Sequence, residues 1–148
     1  MTTLEAHGLR IELPRGWSGR AFKRSAGGAT LHAGDFDLPL DDGEFGDQST
    51  AVMPSGATFL ALTEYRAGGG LEPGKGLFAP RRIPTTLDPT SFSPRTMAHP
   101  RPGRVGAQQF FTAATRPFCL YVVVSGVRTE RRRQLATLGV VLGSLRIS

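Results

Sequence analysis

Residues 105–124 read VGAQQFFTAATRPFCLYVVV. Two apolar runs rich in aromatic and β-branched residues, 105–113 and 118–124, flank the four residues ATRP. Such runs across a short turn form a β-hairpin. In the second run Phe118, Leu120, Val122 and Val124 point to one side and Cys119, Tyr121 and Val123 to the other. Both sides are apolar, which puts this strand in the interior of a sheet.

Working outward, the apolar period changes after Gly126. Leu135, Leu138, Val141 and Leu142 follow helical spacing, so a helix is expected from about 128 to 142, stopped at Gly143, with SLRI (144–147) extended beyond it. Toward the other end, Leu9, Ile11 and Leu13 alternate with Arg10 and Glu12 in a half-buried strand that ends at Pro14 and Gly16, with Trp17 packed under the turn. Extended segments are expected over 19–24 and 29–36, joined across the turn-prone SAGG, and ATFLALTEY (57–65) reads as a more central strand. A short helix is expected within 42–53. The fold class is α+β, a single antiparallel β-sheet packed against a C-terminal helix, in one domain over residues 1–148.

A chain of 148 residues can bury about 68–70% of its unfolded surface around one core. With 39% hydrophobic and 20% charged residues, the composition is that of a globular protein. The longest apolar run, 118–124, is far shorter than the roughly 20 residues of a membrane helix, so no membrane partner is expected. MTTLEAHGLRIEL carries an early Glu5 and has no basic start followed by an apolar stretch. Cys119, the one cysteine, cannot form an internal disulfide. Both features point to a cytoplasmic location.

The net charge of +6 is unevenly spread. Half of the 12 acids, Asp35, Asp37, Asp41, Asp42, Glu44 and Asp47, fall within 35–47 with no base among them, while Arg128, Arg131, Arg132 and Arg133 crowd the start of the C-terminal helix. Of the 18 bases only Lys23 and Lys75 are lysine, a bias that codon composition produces as readily as selection for phosphate contacts. No helix-turn-helix, zinc-finger or ribonucleoprotein pattern accompanies the bases, so specific nucleic-acid binding is not expected. Cations in the first turns of a helix oppose its dipole by about 0.3–1 kcal/mol each. A negative group is therefore expected nearby. It is either Glu130 and the acidic 35–47 turn, or an acidic partner surface or phosphorylated ligand.

Residues 68–103 hold seven prolines and six glycines, which forbid regular ladders. A loop of this length is expected to be a meander, with at most one short edge strand. Leu77, Phe78, Ile83, Leu87 and Phe92 punctuate it and would pin it to the body or to a partner. Its opening, GGGLEPGKG (68–76), matches most of a phosphate-binding loop from Gly69, but Gly76 replaces the magnesium-binding hydroxyl and the prolines beyond Lys75 exclude the required helix. EPGK (72–75) reads instead as a type II turn, with Gly74 supplying the positive φ. The acids fail as a calcium loop because Pro39 falls on the third ligand position counted from Asp35. His7, His32 and His99 are too scattered for a metal site, and Cys119 inside an interior strand has no base to activate it. No catalytic, metal or cofactor residue is expected.

The two ends carry a likeness. GLRIELPRGW (8–17), FCLYVVVSG (118–126) and the final VLGSLRI (141–147) resemble the PsbP-like superfamily, which includes Mog-type proteins, LpqN-type lipoproteins of actinobacteria and effector chaperones of type VI secretion. The resemblance implies an antiparallel sheet flanked by helices and a role in protein binding, as an adaptor, without catalytic residues or a cofactor. Phe78 and Phe92 on the long loop and Arg128, Arg131 and Arg132 are the candidate partner-binding residues. The alternative is a module for a small ligand or anion, enzymatic or not, with Arg81, Arg82, Arg101 and the 128–133 arginines around a pocket. A homodimer through an open sheet edge is a further possibility.

Overall fold

The computed structural model describes residues 1–25 and 27–148. Its centre is the hairpin of β6 (Arg104–Ala113) and β7 (Arg116–Ser125), which pair antiparallel from Arg104↔Ser125 to Ala113↔Arg116. Only Ala114 and Thr115 form the turn, at φ of 51° and 60°. That two-residue, left-handed geometry follows the twist of the strands. Pro117, expected in the loop, belongs to β7, where its carbonyl accepts the Tyr65 N–H (2.8 Å). Its missing donor faces Tyr65, just past the end of β5 (Thr58–Glu64), and the β5–β7 ladder ends there.

β7 lies between β6 and β5, and with β3 (Ser18–Lys23) and β4 (Ala29–Gly34) they make a five-stranded antiparallel sheet in the order β3-β4-β5-β7-β6. The expectation of a single sheet is corrected here. β2 (Leu9–Leu13) pairs with β1 (Thr2–Ala6) and with β8 (Arg146–Ile147) in a separate three-stranded sheet, and not with β3. The cause is local. His7 and Gly8, at φ of 54° and 79°, fold residues 2–6 back onto β2. The Pro14–Trp17 turn (Trp17 N–H to Pro14 O, 3.1 Å) then turns the chain away before β3 begins.

The two sheets share one core. Leu9, Ile11 and Leu13 of β2 are buried together with Leu31, Leu60, Leu62, Leu120 and Phe111, and Trp17 packs at the edge of this cluster. A side chain of this size contributes about 1.5–3 kcal/mol when fully buried. The C-terminal helix begins as a 3-10 turn (Arg128–Glu130) and continues as α2 (Arg131–Gly143), whose Leu138, Val141 and Leu142 enter the same cluster. Gln134 fixes its start, donating from Nε2 to the carbonyls of Ser125 (2.9 Å) and Ala57 (3.2 Å).

The opposite face of the five-stranded sheet, bearing Phe59, Ala61, Tyr121 and Val123, is covered by residues 35–53 through Phe36, Leu38, Phe45 and Met53, and by Met97. The expected short helix within this cover is Asp47–Val52 (α1). Gly46 precedes it at φ 69° with the Phe59 ring so close that a Cβ would collide with it. Any larger residue would lift the cover.

Residues 68–103 run along the outer edge of β6. Ser93 and Gly106 exchange two backbone hydrogen bonds (2.9 and 3.1 Å), and Thr112 N–H reaches Pro80 O (2.7 Å). The loop blunts an edge that would otherwise offer unpaired backbone groups. Three 3-10 turns, Gly76–Phe78, Pro89–Ser91 and Pro94–Thr96, shape it, and Phe78, Leu87, Phe92 and Met97 are buried beneath it. The expected turn at 72–75 is present, with Lys75 N–H to Glu72 O (3.2 Å) and Gly74 at φ 76°. Among the described residues no helix is long and apolar enough to cross a membrane.

Candidate functional site

The acidic cover takes its cations from the strands and loops around it. Glu44 pairs with Arg24 (3.2 Å), Asp47 with Arg101 (2.7 Å) and His99 (3.7 Å), and the Arg20 guanidinium bonds Leu40 O. Partial burial would raise the Asp42 carboxyl, but donors from Ser49 Oγ (2.5 Å), Gln48 N–H (2.8 Å) and Ser49 N–H (2.9 Å) outweigh it and hold the group below its ordinary value. Asp42 thereby anchors the start of α1. An open cleft of about 630 Å³ borders Arg24, Glu44, Phe45, Asp47 and His99. Its charged groups already face one another.

Under the cover, His32 is 1% exposed. Its ring meets Phe22 and Phe59 edge-on (5.3 Å each), Nε2 lies 3.0 Å from Glu44 O, and Nδ1 has no partner among the described residues. Burial lowers its pKa. The ring is therefore neutral, with Nε2–H donating to Glu44 O. Cys119, fully buried on β7, has a thiol pushed up to about 12 by burial. Such a thiol is inert as a nucleophile.

The expected partner residues divide sharply. Phe78 and Phe92, 1% and 7% exposed, are buried in the protein's own interior and present no surface to a partner; this part of the expectation is corrected. The Phe78 ring lies tilted against Tyr65 (5.5 Å) and edge-on to Phe110 (5.7 Å). Apolar burial claimed them because β6 needed covering. Arg128, Arg131 and Arg132 do stand at one end of α2. Glu130 pairs with Arg133 (3.1 Å), and among the described residues no carboxylate lies within 4.0 Å of the other three. The acidic 35–47 segment cannot neutralise them, because it covers one face of the five-stranded sheet and α2 packs toward the other.

The alternative gathering of arginines is not formed either. Arg101 belongs to Asp47 on the cover side, and Arg81 folds back on the turn at Gly74. Of the first-turn arginines Arg132 borders a groove, about 310 Å³, between residues 85–89 and α2, floored by Leu87, Pro89, Leu135, Ala136 and Gly139. Within the glycine-rich stretch Gly74 N–H donates to Thr112 Oγ1 (2.8 Å), and Gly68 and Leu71 each donate to the other's carbonyl (3.3 and 3.1 Å).

Two features escaped the sequence. The groove pairs a loop without periodicity with the outer side of α2, and only the long-range packing of Leu87 creates it. Leu40, 92% exposed at the tip of the acidic cover, was hidden because apolar residues alternate with acids there as they would in any covered turn. The one available signal was an uncommitted leucine between Pro39 and Asp41. Comparisons of the chain with protein-family models, with curated proteins and with solved structures found no match.

Proposed function

We propose that this protein is a non-enzymatic protein-binding domain of the adaptor type, which presents the arginine end of α2 and the adjoining groove to an acidic surface bearing an apolar anchor. The observation that carries this reading is the uncompensated charge of Arg128, Arg131 and Arg132 at the end of α2 where Arg132 borders an apolar floor. Three cations held against a helix dipole raise the energy of the free protein, and an incoming carboxylate lowers it. The buried His32 and Cys119 offer a substrate neither base nor nucleophile, which supports binding over catalysis. The likeness of the two ends to PsbP-like proteins points the same way.

The test uses fluorescence anisotropy with a labelled peptide of alternating glutamate and leucine, with duplex DNA as the competing polyanion. The wild type is expected to bind the peptide, and the triple variant Arg128→Gln, Arg131→Gln, Arg132→Gln to bind it at least about tenfold more weakly with an unlowered melting midpoint. Equal binding by the variant, or DNA bound in preference to the peptide, overturns the reading.

A further inference from the structure

The molecule carries two unmatched surfaces of complementary character. One is the groove beside α2, apolar on its floor, with Arg132 on its rim and Arg128 and Arg131 beyond it. The other is the tip of the acidic cover. There Leu40 projects into solvent between Pro39 and Asp41, its carbonyl gripped by Arg20 while Leu38 packs inward. Single exposed leucines are ordinary. This one differs because its backbone is held in place and because the carboxylates beside it, Asp37 and Asp41, are exposed and without a cation within 4.0 Å among the described residues, whereas Glu44 and Asp47 in the same segment are paired.

Knob and groove cannot meet within one molecule, because the five-stranded sheet separates the cover from α2. We propose that the groove between residues 85–89 and α2 receives residues 37–41 of a second copy of this chain, Leu40 entering the groove and Asp37 and Asp41 facing Arg132, Arg131 and Arg128. The proposal rests on the protein-binding reading above and names its partner. Charge complementarity selects the occupant, since the same chain holds an acidic, leucine-tipped counterpart to its own apolar groove and the arginines at that end of α2.

The two surfaces lie on different sides of the protomer, so the contact is head-to-tail. Each docked copy leaves one free knob and one free groove, and assembly continues as a chain unless the rotation closes it into a ring. A single leucine with a few rim charges makes a small contact, so association is weak and dependent on concentration. Attraction between exposed charges is screened within a Debye length of about 8–10 Å at physiological salt, so added salt disperses the assembly.

Sedimentation velocity over a concentration series at low salt tests this. The wild-type mass is expected to rise with concentration, while Leu40→Ser, the pair Asp37→Lys with Asp41→Lys, and the pair Arg131→Glu with Arg132→Glu remain monomeric with unchanged circular dichroism. Mixing the two charge-reversed proteins makes every junction attractive again and restores association. A wild type that stays monomeric throughout, or a folded mixture that fails to recover, overturns the proposal. If the glutamate–leucine peptide still binds in that case, the domain serves a different protein; if it does not, the binding reading falls as well.

Discussion

Ala114 and Thr115 are the two residues whose identity fits their backbone least. Both adopt left-handed φ, a conformation that costs L-residues about 1–2 kcal/mol and that Thr, branched at Cβ, tolerates badly. The Thr115 hydroxyl bonds the Ala114 carbonyl (2.6 Å), a contact exposed to water and of small net value. Replacing them with the favoured pair, Ala114→Asn and Thr115→Gly, is expected to raise stability by about 1–2 kcal/mol, read as a higher urea midpoint with an unchanged slope. At this scale the sequence was legible where a residue sat in a periodic strand. Cys119 read as a core thiol because its neighbours alternate, and it is one. Phe78 and Phe92 were misread because a proline-rich loop has no period, and nothing local distinguishes an aromatic that turns inward from one that faces a partner.

Among the elements, β4 is unusual in burying all six of its residues, Thr30 and His32 included. His32 faces Arg20 from β3, Asp42 and the Glu44 carbonyl from the cover, and the rings of Phe22 and Phe59. Burial lowers its folded pKa below the ordinary 6.5, so the unfolded chain takes up this proton first. Stability is therefore expected to be level above about pH 7.5 and to decline as pH falls below 6.5 toward the depressed folded value, with a slope of at most about 1.4 kcal/mol per pH unit. Asp42 and Glu64, held below their ordinary values of 3.8 and 4.5, support the fold above those values, and their contribution is lost as pH falls through their folded pKa values. Acid destabilisation thus begins with His32. Urea titrations at pH 7.5 and 5.5 check this: His32→Gln is expected to abolish the difference between the two.

For the whole molecule, one side chain joins the two sheets. Arg116 at the start of β7 makes a two-pronged pair with Glu64 (2.8 Å to each oxygen), donates to His7 O (3.1 Å) and Ser148 O (2.9 Å), and lies over the Phe118 ring (5.2 Å). Glu64 also accepts Ala29 N–H (3.0 Å), and the Arg116 hydrogen bonds are the chief reason its carboxyl titrates low. Arg116→Ala strips a poorly hydrated carboxylate of its partner and frees the β1–β2 turn. A loss of about 2–4 kcal/mol is expected from the denaturant midpoint, with faster amide exchange at residues 7–10. Lys at this position is expected to recover little, because its ammonium cannot span both oxygens and two carbonyls at once.

Periodicity within a few residues determined the β6–β7 hairpin, α2, the buried parity of β7 and the α+β class, because each follows from which side of a strand or helix is apolar. The turns at 7–8 and 14–17 took β2 away from β3, but long-range contacts alone decided that β8 joins it, that the proline-rich loop lies on the β6 edge, and that the acids pair with Arg24 and Arg101 while Arg128, Arg131 and Arg132 remain uncompensated. Attraction between charges depends on their separation in space. With a sheet between the acidic cover and α2, charges that balance along the chain remain apart in the folded protein.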